Sequence, residues 1–220
     1  MPERARTLTA ELYFSFRSPY SYLAVGRYRT MAEEYDLDIR LRPVWPLAIR
    51  EPDFFERRHP NWLGYTMRDM LRVAEFHAIP FGAPRPDPIV QDMTTRTIAD
   101  AQPYIRRITR LGQAAARAGR GLAFAHEAAR LIWGGAENWH EGDHLAGAAA
   151  RAGLDFAGLE RVVEAEPDAL DTEIAENQAA LEAAGHWGVP TLVFDGESFF
   201  GQDRIDVALW RMEQRGLTAR

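Results

Sequence analysis

In the stretch FSFRSPYSYLA, Phe14 to Ala24, two serines stand three residues apart, Ser18 and Ser21, with Pro19 and Tyr20 between them. This is the spacing at which paired thiols at the start of a helix carry out disulfide exchange. A hydroxyl cannot do that chemistry. As the N-cap of a helix beginning at Pro19, however, Ser18 stands beside free backbone amides and the positive end of the helix dipole, which favour a bound anion or thiolate. Its hydroxyl could donate one further hydrogen bond to such a group. The plainer reading, a structural cap before a proline at the first helical position, uses the same geometry.

Composition narrows the chemistry. None of the 220 residues is Cys, and all 26 basic residues are Arg. Thiolate-metal sites, disulfide exchange by the chain's own sulfur, and Schiff-base chemistry on a lysine are therefore excluded. A net charge of −6 argues against a nucleic-acid partner. The start, MPERARTLTAELYF, lacks the apolar core of a signal peptide, and no run approaches the roughly 18 apolar residues of a membrane helix. A cytoplasmic protein with no membrane partner is expected.

The elements that must position Ser18 can be read in order. LYFSF (Leu12–Phe16) is aromatic and β-prone. Helical spacing runs from Pro19 through Tyr22, Val25 and Tyr28 towards Tyr35. LDIRLRPVW (Leu37–Trp45) alternates Ile39, Leu41 and Pro43 with Arg40 and Arg42, the pattern of a second strand. A Pro-rich loop, Pro80–Pro88, precedes Ala-rich segments at Thr94–Ala118, Leu122–Trp133, Asp143–Ala152, Leu154–Ala165 and Pro167–Ala184, set apart by glycines. They predict a helical block from about Phe54 to Ala184. VPTLVF (Val189–Phe194) is a strand, Asp195-Gly196 a hairpin turn, and Asp203 an N-cap for a last helix with Ile205, Leu209 and Met212 on one face. The order βαβ, helices, ββα is that of an α/β thioredoxin-like fold with an inserted all-helical domain. The expected division is residues 10–48 with 186–220 for the thioredoxin-like unit and 49–185 for the insertion.

HEGDH (His140–His144) matches the zinc-protease pattern H-E-x-x-H, which needs both histidines on one helix face. Gly142 in such a helix would cost about 1 kcal/mol, and Asp143 suits the N-cap of the next helix. The segment therefore reads as a loop, with no metal expected. Of the six tryptophans most read as packing, and Trp45 and Trp62 are the better candidates for a wall beside an aromatic substrate.

GVPTLVF adds a second signal. In a thioredoxin-type fold an X-Pro before this strand is cis and lies by the first helix, which predicts a cis Val189-Pro190 in contact with Ser18. A backbone turned outward there can pair with an extended peptide. FSFRSPYSYLA together with GHWGVPTLVFDGESFFGQDRID, and YTMRDMLRVAEFHAIPF (Tyr65–Phe81) between them, resembles the 2-hydroxychromene-2-carboxylate isomerase family. That family is related to kappa-class glutathione transferases and to DsbA-type oxidoreductases. The resemblance implies glutathione as cofactor, its thiol on Ser18, its backbone paired with Val189 and Pro190, and its γ-glutamyl end at the turn of Gly201, Gln202, Asp203 and Arg204. It implies a small aromatic or bicyclic substrate, opened and isomerised through a thiol adduct during aromatic degradation, and a homodimer. Two alternatives stay open: a kappa-like glutathione transferase acting on other electrophiles, and a non-catalytic module that binds thiols or peptides.

Overall fold

The computed structural model describes residues 7–51, 54, 57–92, 95 and 97–220. Strand β1 (Leu8–Phe14), helix α1 (Pro19–Glu34) and strand β2 (Leu37–Pro43) form the opening unit. β1 begins four residues earlier than its aromatic core suggests, because β2 pairs with it in parallel from Leu8↔Leu37 to Phe14↔Pro43. In β2, Leu37, Ile39, Leu41 and Pro43 are buried while Asp38 and Arg40 face solvent. This is the period-2 alternation of a half-covered strand.

The far end of the chain completes the same sheet. β3 (Thr191–Phe194) pairs antiparallel with β1, and β4 (Glu197–Phe200) with β3, giving the order β2-β1-β3-β4. Asp195 and Gly196 make the tight turn between them with φ of 51° and 78°, the left-handed pair a two-residue hairpin requires. Helix α9 (Ile205–Glu213) follows, with Ile205, Ala208 and Met212 buried. Its N-cap is Arg204, not Asp203, and no side chain caps it. The Asp203 carboxylate instead pairs with Arg204 at 2.8 Å.

Between β2 and β3 lie α2 (Leu47–Arg50), α3 (Asn61–Phe76), α4 (Pro103–Arg117), α5 (Gly121–Trp133), α6 (His144–Arg151), α7 (Phe156–Ala165) and α8 (Pro167–Ala183). α4 starts nine residues after the sequence pattern suggests. Thr94 itself lies outside the described residues. Gln102 clamps the preceding segment: its Nε2 donates to the carbonyls of Val90 (2.8 Å) and Ala99 (2.7 Å), and its Oε1 accepts from Val90 N. Pro103 then takes the first helical position, where its missing N–H costs nothing. His140 sits in a turn and α6 begins at His144, so the two imidazoles of HEGDH do not share a helix face. Asp143 holds the N-cap position of α6 without making the cap bond. Among the described residues no three His, Asp or Glu side chains gather as a metal ion would need. No helix there is long and apolar enough to cross a membrane.

The helices share one apolar core with the sheet, through residues such as Phe14, Leu23, Leu41, Ile108, Phe124 and Leu192. A buried carboxylate ties three helices together. Glu127 on α5 accepts from Arg151 of α6 (2.6 Å) and Arg29 of α1 (3.2 Å), and lies 3.2 Å from His126 Nδ1. Burial alone would raise its pKa, but the bonds from Arg151 and His126 outweigh burial and hold it below the ordinary carboxylate value. A depressed folded pKa contributes stability that is complete above the unfolded pKa and lost as pH falls through the folded one. Glu127→Gln is expected to cost about 1–3 kcal/mol at neutral pH. It should also flatten the loss of stability on acidification below about pH 4.5. Urea unfolding at stepped pH measures both.

Candidate functional site

The first helix and the loop before β3 meet at Ser18. Its backbone is extended (φ −89°, ψ 115°), and its Oγ accepts from Ser21 N at 3.2 Å, so it is the expected N-cap ahead of Pro19. The same Oγ donates its one proton to the Val189 carbonyl at 3.3 Å. That bond is long, beyond the ordinary O–H···O range, and a stronger acceptor could take the proton. Val189-Pro190 is cis, as the sequence predicts. Among the described residues no acceptor meets the Val189 N–H.

The Gly201–Arg204 turn is brought to the same place. Gly201 N donates to the Pro190 carbonyl at 2.8 Å, and Gly201 has φ 98°, a conformation that favours glycine. The Gln202 carbonyl accepts from Arg27 Nη1 at 2.7 Å. Ser18, Val189, Pro190, Gly201 and Gln202 are thus linked through hydrogen bonds and chain continuity, with Asp203 on the exposed side of the turn.

The two serines of the motif are not equivalent. Ser18 is half-buried and reaches the Val189 loop, whereas Ser21 is fully enclosed and its hydroxyl has no hydrogen-bond partner. An orphaned buried hydroxyl costs on the order of 1–3 kcal/mol. Ser21→Ala keeps the backbone amide that caps onto Ser18, and is expected to raise stability by about 1 kcal/mol without changing ligand binding. A thermal melt alongside a binding titration checks this.

Sequence reasoning missed the residues that hold the turn before α1. Asp87, from the Pro-rich loop, receives both Arg17 Nη2 (2.6 Å) and Arg17 Nε. The Arg17 guanidinium also lies 5.4 Å from the centre of the Trp133 ring, and Trp133 Nε1 donates to the Phe16 carbonyl at 3.0 Å. Tyr20 donates to Asp69 of α3 at 2.7 Å. Burial first, and then Asp69, push the Tyr20 phenol well above its ordinary pKa, so it stays protonated across the physiological range.

Trp45 lies under the Arg106 guanidinium, 5.5 Å from its ring centre. The Trp62 ring meets Phe54 edge-on at 6.0 Å. Trp187 is 47% exposed and sits two residues before Val189. Its ring stacks on His186 (4.6 Å, 11°), which in turn stacks on Phe200 (4.0 Å). Gly188 is required in this stack: a Cβ there would stand 2.7 Å from the Phe200 ring.

The chain as a whole resembles known proteins. The chain is similar to 2-hydroxychromene-2-carboxylate isomerase of Sphingobium xenophagum, 26% identical over 204 residues that span 91% of this chain and 95% of that protein. Its fold is like that of a solved 2-hydroxychromene-2-carboxylate isomerase (TM-score 0.66, 23% identity, 94% of this chain and 95% of that one). It is also like the cytosolic disulfide reductase DsbM from Pseudomonas aeruginosa, solved with GSH (TM-score 0.59, 20% identity, 94% and 100%). A family model, the DSBA-like thioredoxin domain, matches residues 9–212. With nearly its whole length matched and the thioredoxin-type sheet joined as described, the chain belongs to the DSBA-like thioredoxin-domain family.

Proposed function

We propose that the protein is a glutathione-dependent isomerase of the 2-hydroxychromene-2-carboxylate isomerase type, with a small aromatic or bicyclic substrate. The observation that carries this reading is the single proton of Ser18, held at the start of α1 on a long bond to Val189 in a chain without cysteine. A redox pair is chemically impossible here, yet the helix N-terminus, the hydroxyl donor and the unmet Val189 N–H form a donor set that fits a thiol on a peptide backbone. Bound glutathione would supply a thiolate nucleophile that is regenerated when the isomerised product leaves.

The chain's own part is to stabilise, align and enclose. Ser18 Oγ turns its proton from Val189 to the anionic sulfur, and the α1 dipole favours that charge. The Val189 N–H and carbonyl pair with the extended backbone of the thiol ligand. Gly201, Gln202 and Asp203 hold its far end, with the turn braced by Arg27. On this reading residues 49–185 act as an insertion that braces the Ser18 turn through Asp87 and Trp133, and the protein works in the cytoplasm, where thiols remain reduced.

The test is turnover of 2-hydroxychromene-2-carboxylate, followed by absorbance with and without glutathione. Glutathione-dependent formation of the ring-opened trans product is expected. Equal rates with and without glutathione, or no turnover while glutathione binds, would overturn the reading.

A further inference from the structure

The Val189 loop is tied down group by group. Arg50 Nη2 donates to the Trp187 carbonyl at 2.9 Å. The Gly188 N–H donates to Nδ1 of the His186 imidazole at 2.9 Å, and the Gly188 carbonyl accepts from Thr191 Oγ1 at 2.7 Å. The Val189 carbonyl takes the Ser18 proton, and the Pro190 carbonyl accepts from Gly201 N. What these bonds leave open is the Val189 N–H, which meets no acceptor among the described residues. A guanidinium, two hydroxyls and a backbone amide keep their charge between about pH 5 and 8. Of these ties only the imidazole changes charge there.

The geometry fixes the state of that imidazole. An N–H can only donate, so Nδ1 carries a lone pair and the ring proton is on Nε2. A protonated ring has no lone pair to offer Gly188. Stacking between Trp187 and Phe200 sets the ring plane. The approach is close enough that a Cβ on residue 188 would stand 3.0 Å from His186 Cε1. Burial lowers the pKa of the imidazole, which keeps it neutral at physiological pH. The charged side chains on the segments around it are Arg50 of α2, Glu182 of α8, Glu197 of β4, and Glu51, Arg57 and Arg58, which line a cleft with Trp187. Among the described residues none of them pairs with the imidazole: Glu51 meets Arg57, Arg58 lies over Phe54, and Glu197 meets Arg211.

We propose that His186 is a positioning residue: its neutral imidazole holds the Val189 loop by accepting from Gly188, and its protonation loosens the loop. On the reading given above, the loop pairs with a thiol ligand through Val189. Binding of that ligand is then full while the imidazole is neutral and weakens as falling pH protonates it; only this consequence rests on the proposed function.

The experiment titrates the full chain with S-methylglutathione, whose blocked sulfur cannot ionise, between pH 7.5 and 5. Affinity should fall about 3- to 10-fold, the worth of one hydrogen bond, with a midpoint below about 6.5. Nitrogen NMR of the imidazole should give the same midpoint and an unprotonated Nδ1 at pH 7.5. The temperature coefficient of the Gly188 amide, small while it is bonded, should grow through that midpoint. His186→Phe keeps a ring in the stack without an acceptor, and should bind weakly at every pH. His186→Asn offers the N–H two residues on a side-chain oxygen that does not titrate, and should restore affinity with a flat profile. Circular dichroism verifies that each variant is folded. A proton on Nδ1 at pH 7.5, an imidazole still neutral at pH 5, or wild-type affinity in His186→Phe would each overturn the proposal. If S-methylglutathione binds at no pH while the Gly188 amide still follows the imidazole, the thiol reading falls and the positioning role stands. If it binds equally well at pH 7.5 and 5 while the imidazole titrates, the positioning role alone falls.

Discussion

Ser18→Ala is expected to fold and to lose turnover. Loss of an N-cap costs about 1 kcal/mol, small against a typical total of about 5–15 kcal/mol. The lost bond to a bound thiolate is a different quantity. A single preorganised donor to developing charge is worth on the order of 10²–10³ in rate, so kcat should fall far more than stability. The bound thiol should titrate at higher pH, since its ionised form has lost a donor while its neutral form has lost little. An absorbance titration of the thiolate in the presence of glutathione reads that shift independently of activity. Full turnover with an unmoved thiol pKa would reduce Ser18 to a cap.

The second large effect is expected from a glycine far from Ser18 in sequence. Gly112 lies in the interior of α4, where alanine would ordinarily add about 1 kcal/mol of helix propensity. Here a Cβ would stand 2.6 Å and 2.8 Å from two carbons of the Phe16 ring. Phe16 has no room to yield: it is fully buried and packed edge-on against Phe14 (5.1 Å) and Phe124 (6.3 Å). Overpacking of that kind costs about 1–3 kcal/mol or more, enough to outweigh the propensity. Gly112→Ala should lower Tm by about 4–8 °C, as a loss of about 2 kcal/mol does in a chain of this size. Because Phe16 leads directly into Arg17 and Ser18, turnover should fall with it. Gly64→Ala is the control. It lies in the exposed part of α3 with only Arg68 Nη1 near a new Cβ, at 3.8 Å, and is expected to be neutral or stabilising by up to about 1 kcal/mol. A rise in Tm for Gly112→Ala would mean that the Phe16 ring is not confined.

What the sequence made legible was local. The Ser18-Pro19 cap, the alternation of β2, the Asp195-Gly196 hairpin and the cis Val189-Pro190 each follow from a few adjacent residues, and each is observed. Where a distant partner intervened, the local signal misled. Gln102 holds back the start of α4 by bonding across the loop to Val90. The braces around Ser18 were invisible for the same reason. Tyr20 and Asp69 are 49 residues apart, Arg17 and Asp87 are 70, and Arg27 and Gln202 are 175. No spacing rule links such pairs, and their polar side chains read singly as solvated surface. The exposure of Trp187 was not legible either, because composition favours packing for tryptophan in general, whereas exposure depends on which loop the residue occupies.

The order of strands in the sheet also governs how the protein can be made. β1 is an inner strand, flanked by β2 and β3, and its pairing of Tyr13 with Thr191 spans most of the chain. During synthesis the β1–β2 pair can close as soon as α1 connects it. The other side of β1 stays an open edge, with apolar Leu12 unpaired on that flank, until nearly everything else has left the ribosome. Closing so long a loop carries an entropic penalty that slows folding, and an unpaired edge in that interval can recruit a second nascent chain. Yield from rapid expression should therefore depend on how quickly the segment carrying β3 and β4 arrives. Slower translation at lower temperature, or a chaperone that shields strand edges, should raise the folded fraction more than it would for a fold whose inner strands pair with near neighbours in sequence.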